Sequence, residues 1–100
     1  MQTPLYFLKE IDEKYLSCKE KGLSRFSDEW GLWSREINLK LRGFIKNSPD
    51  PEPYKYVFIY WTVRSQLLQI FHRKLEKLQK EKIEDLEEQI LELRRLISGE

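Results

Sequence analysis

The chain has 100 residues, enough for one domain with one modest core. Eighteen basic and seventeen acidic residues leave a net charge of +1, which excludes a global attraction to nucleic acid or an anionic membrane and confines any such binding to a local patch. Four Gly and four Pro are too few for a loop-rich or many-stranded fold, and Cys18, the single cysteine, excludes an intrachain disulfide and a Cys-based zinc site.

Met1-Gln2-Thr3-Pro4 lacks the basic and apolar regions of a signal peptide. The longest uncharged apolar run, Tyr56 to Val63, falls far short of the ~20 residues a spanning helix needs. The expectation is a cytoplasmic protein with no membrane partner.

Thr3-Pro4 reads as a helix start, a Thr cap followed by Pro at the first helical position. Leu5, Leu8, Ile11, Tyr15 and Cys18 then recur at spacings of three and four, and Gly22 supplies the left-handed cap. The first helix is predicted over 4–21, with Cys18 a buried, inert thiol. Ser27-Asp28-Glu29 begins a second helix over 28–46, with its acidic residues at the positive end of the dipole. Trp30, Trp33, Ile37, Leu41, Phe44 and Ile45 form its apolar side. Away from that side, Arg35, Arg42 and Lys46 align as a basic ridge bordered by Leu32 and Leu39, the pattern of a second contact surface.

Prolines at 49, 51 and 53 make 47–53 a stiff, extended linker. Tyr54 to Val63 is rich in aromatic and β-branched residues and reads as a strand on propensity. No second β-rich run exists to pair with it, so a helix is expected. From Tyr54 to Ile97 there is no Gly or Pro, and one helix over 54–97 would reach ~65 Å, too long to lie within a compact domain of this length. Its first half is apolar on two sides: Val57, Trp61, Leu68 and Leu75 form one stripe, and Ile59, Val63 and Ile70 another. Its second half carries one seam, with Ile83, Ile90 and Ile97 at heptad position a and Leu86 and Leu93 at d, the choice that favours a parallel two-stranded coiled coil. Gln79 to Lys82, a polar gap between the halves, is where such a helix would bend.

No Gly-rich phosphate loop, His-Glu-x-x-His or Cys pair is present, and His72 stands alone beside Arg73 and Lys74. Glu84, Asp85, Glu87, Glu88 and Glu92 read as the solvated face of the coiled coil. No catalytic residue, cofactor, metal or small-molecule substrate is expected.

The sequence thus predicts an all-α fold, a small bundle of three helices with the third ending in a coiled-coil arm at 79–98. The expected function is non-enzymatic: an oligomeric adaptor or assembly protein, a dimer first, joined through Ile59, Val63, Ile70, Ile83, Leu86, Ile90, Leu93 and Ile97. The alternative is a small DNA- or RNA-binding protein using Arg35, Arg42 and Lys46 together with Arg73, Lys74 and Lys77, whose affinity would fall with salt.

Overall fold

The computed structural model describes residues 3–73 and 77–99, with backbone alone at 71–73 and 77–79, and every regular element in it is an α-helix. Helix α1 spans Pro4–Glu20. The Thr3 hydroxyl oxygen accepts the Tyr6 N–H at 3.2 Å, and Pro4 occupies the first turn, where no N–H is required. At the other end Gly22 sits at φ +71°, a conformation that L side chains resist. This lets Leu23 N–H reach the Cys18 carbonyl at 2.9 Å and Gly22 N–H reach that of Lys19 at 3.1 Å, the paired closure that satisfies orphan carbonyls. Helix α2, Asp28–Asn47, begins on Ser27, whose hydroxyl accepts Trp30 N–H at 3.3 Å.

The linker is shorter than predicted, because Glu52 and Pro53 already belong to α3, Glu52–Arg73. Proline is tolerated in a first turn, and Lys55 N–H closes that turn on the Pro51 carbonyl at 3.1 Å. Tyr54 to Val63 is helical despite its strand-like composition.

The principal correction concerns the long helix. In place of one element over 54–97 there are two: α3 ends at Arg73, and α4 spans Lys77–Ser98. Residues 74–76, between the two, are outside those described, and the polar gap Gln79 to Lys82 is within α4. Helix α4 folds back along α3 and also touches α1, so 79–98 is not a protruding arm. The physical reason is burial. Leu86, Ile90, Leu93 and Ile97 are each less than a tenth exposed within the chain's own core, and each such side chain is worth ~1.5–3 kcal/mol against leaving it in water. That sum outweighs the few backbone hydrogen bonds lost at a break. The molecule measures 44 × 30 × 17 Å, too short for a ~65 Å rod.

Helix α3 is central, packing on α1, α2 and α4, while among the described residues α2 and α4 do not touch and lie on opposite flanks. Both apolar sides predicted for α3 are used within the chain, as Val57 and Leu68 from one and Val63 from the other are buried in a single core. Two indoles stitch α2 to α3: Trp30 Nε1 donates to Ser65 Oγ at 3.1 Å and Trp61 Nε1 to Ser34 Oγ at 3.2 Å. At the far end Phe44 stacks on Tyr54 at 5.0 Å, and Phe7 meets both rings edge-on, tying α1, α2 and α3 together. Cys18 is buried and free, and burial pushes its thiol pKa up, as expected of an inert core cysteine. No described helix is long and apolar enough to cross a membrane.

Candidate functional site

Two features stand apart from ordinary core and surface. The first is a polar junction where α1, α3 and α4 meet. Tyr60, fully buried on α3, donates its hydroxyl proton to the Asp12 carboxylate of α1. Arg64, one turn along, donates through Nε to the same carboxylate at 3.1 Å. Arg94 of α4 donates through Nε to the Tyr60 oxygen at 3.1 Å and through its terminal nitrogen to Asp12. The Arg64 guanidinium also lies 4.5 Å from the Tyr15 ring centroid, a cation–π contact. Burial, reinforced by the hydrogen bond to Asp12, raises the Tyr60 phenol above its ordinary pKa, and burial does the same for Tyr15. The hydrogen bond from Arg94 to Tyr60 raises the arginine's pKa further.

The junction borders a groove of about 360 Å³ between α1 and α4, whose lining includes Tyr15, Leu16, Glu87, Ile90 and Leu91. Its two guanidiniums are already held by Asp12, and Lys19 and Glu87 stand in the same lining, so the groove is of mixed charge. The junction therefore acts chemically as a clamp that fixes α4 onto α1 and α3. Among the described residues no three His, Cys, Asp or Glu side chains converge on one point.

The second feature is the outward face of α2. Ile37 and Leu41 point into the core at 2% and 0% exposure, whereas Leu32 and Leu39 on the opposite side are 62% and 71% exposed. Arg35, Arg42 and Lys46 lie exposed alongside them and form no ion pair among the described residues. Phe26, 70% exposed, stands just before the helix and lines a groove with Leu32 and Arg35. A Cβ built at Gly43 would meet nothing within 4 Å, so this glycine serves no close packing inside the chain.

The sequence-predicted residues divide accordingly. Of the eight expected between chains, Val63, Leu86, Ile90, Leu93 and Ile97 are buried in the chain's own core, and Ile70 and Ile83 pack partly buried against it. Only Ile59, about half exposed, faces solvent. The predicted basic ridge of Arg35, Arg42 and Lys46 is brought together on one exposed face. Lys74 falls outside the described residues, as do the side chains of Arg73, Lys77 and His72. The Asp12–Tyr60–Arg64–Arg94 junction was missed. Only the Tyr60/Arg64 spacing of four signals it locally, since Asp12 is 48 residues from Tyr60 and 82 from Arg94.

Comparison with known protein families, curated proteins and solved structures finds no match to this chain.

Proposed function

We propose that the chain is a non-enzymatic interaction or assembly protein, cytoplasmic, that works by helix-on-helix association through the outer face of α2. The observation that carries this reading is the exposure of Leu32 and Leu39 on the side of α2 away from the core, flanked by Arg35, Arg42 and Lys46, which form no ion pair among the described residues. A leucine pair seven residues apart on one helix, rimmed by charge, is the arrangement that lies in the groove of another helical surface. The seam at 83–97 is not proposed as the contact, because its side chains already fill the core. Helix α2 is held firmly enough to present such a face, through the two indole hydrogen bonds to its neighbouring helix elements and the Phe44–Tyr54 stack.

The test is capture from extracts of the source cell with the wild-type chain and with Leu32→Asp/Leu39→Asp, followed by mass spectrometry. Both positions are exposed, so the variant should keep its circular dichroism and unfolding midpoint. The expected result is a specific protein, another copy of the chain included, retained by the wild type and lost by the variant. Equal capture by both would contradict the proposal.

Nucleic acid is the second reading, favoured by the alignment of three exposed cations on one helix. It predicts binding to a mixed-sequence duplex that weakens steeply with salt and with Arg35→Glu/Arg42→Glu. The leucines bordering the ridge on the same face favour the protein reading, because phosphates offer them no apolar contact.

A further inference from the structure

Helix α4 turns a second distinctive face to solvent, on the flank opposite α2. Glu81, Glu84, Asp85 and Glu88 are exposed there and form no ion pair among the described residues, while Glu92 pairs with Arg95 of its own helix. From residue 84 to 92 the chain holds five acidic side chains and no basic one, a local charge of −5. From residue 35 to 46 on α2 it holds Arg35, Lys40, Arg42 and Lys46 against Glu36, a local charge of +3. Over their full lengths α2 sums to +1 and α4 to −1, so each charged ridge is a local feature of its helix. Each face also exposes leucine, Leu32 and Leu39 on α2 and Leu91 on α4, the last 68% exposed. The two charged ridges match in length: Arg35 to Lys46 and Glu81 to Glu92 each advance eleven residues, ~16 Å along a helix axis.

Resting on the reading of α2 as an association face, we propose that its partner is the acidic outer face of α4 in a second copy of this chain. The two faces cannot meet within one molecule, because α1 and α3 lie between them. A two-fold pairing of α2 with α2 would set Arg35, Arg42 and Lys46 against the same cations, and α4 with α4 would oppose carboxylates. Only the heterologous contact brings opposite charges together. A contact between opposite flanks leaves one free α2 and one free α4 at its ends, so copies add head to tail and do not stop at a dimer. The contact is a single helix pair rimmed by charge, which places it among weak, salt-sensitive associations.

Sedimentation velocity on the full chain at low and high salt, up to high-micromolar concentration, tests the proposal. The wild type should show a mass that rises past dimer with concentration at low salt and falls back with added salt. Arg35→Glu/Arg42→Glu and Glu84→Arg/Glu88→Arg should each be monomeric while keeping the wild-type circular dichroism. A chain carrying all four reversals should associate again, and so should an equimolar mixture of the two double variants. A wild type monomeric throughout, a mass that saturates at dimer, or a fourfold variant that stays monomeric would each overturn the head-to-tail contact. A monomeric wild type that binds a mixed-sequence duplex through Arg35 and Arg42 would replace it with nucleic acid. If self-association is absent but Leu32→Asp/Leu39→Asp still abolishes capture of another protein, this inference fails and the association reading survives. If that substitution changes nothing either, both fail.

Discussion

Asp12 holds more polar connections between helices than any other described side chain, accepting from Tyr60, Arg64 and Arg94 on two other elements. Its carboxylate is only 19% exposed and Arg64 only 16%, so removing the acid leaves a guanidinium in a largely desolvated place. Asp12→Ala should therefore cost about 2–4 kcal/mol in chemical denaturation. By contrast Lys21→Ala, which removes a pair exposed on both sides, should cost about 0–1 kcal/mol. The raised phenols of Tyr15 and Tyr60 add a pH dependence whose sign follows from linkage. Unfolded tyrosines release their protons near pH ~10, whereas the folded pair holds them to higher pH. The native state then binds more protons than the unfolded state, and stability falls as pH climbs from about 10 through the folded values. These two groups contribute no slope at neutral pH. Tyr60→Phe should flatten the alkaline loss, measured as the unfolding midpoint against pH, and the ultraviolet titration should show one fewer late-ionising phenol. Beyond the Tyr60/Arg64 spacing, none of this was legible in the sequence, because Asp12, the α3 pair and Arg94 are brought together from three helices by the tertiary fold, which local spacing does not encode.

At the scale of elements, sequence legibility follows the reach of the forces involved. Caps and amphipathic faces are local, so α1 and α2 were readable to within a residue or so from Thr3-Pro4, Gly22 and Ser27-Asp28-Glu29. The basic ridge with its bordering leucines was readable for the same reason. The division of α3 from α4 was not, since no Gly or Pro marks it and the decision lies with long-range burial of Leu86, Ile90, Leu93 and Ile97. A heptad seam looks the same whether its partner is a second chain or the chain's own α3. Ile90→Asp separates the two cases. It places a charge in a core position only 5% exposed, and should cost several kcal/mol by an amount independent of protein concentration. A loss that shrinks on dilution would point to a seam shared between chains. On α2, Gly43 lies about one turn before the helix end on the exposed side, with open space at its Cβ. Gly43→Ala should raise stability by about 0.5–1 kcal/mol, read as a shift in the denaturation midpoint.

For the whole molecule, folding α4 back changes which surfaces remain for function. An extended arm would have offered the seam to a partner. The folded molecule withdraws the seam and leaves two local ridges exposed, Arg35, Arg42 and Lys46 with two leucines on α2, and carboxylates with Leu91 on α4. The functional reading depends on that exchange. Small-angle X-ray scattering, extrapolated to zero concentration, tests it most directly. A folded-back α4 predicts a radius of gyration close to 13.8 Å and a maximum dimension near 44 Å, each enlarged slightly by side chains and hydration. A maximum dimension of ~65 Å or more, the length of an unbroken helix from Tyr54 to Ile97, would contradict it.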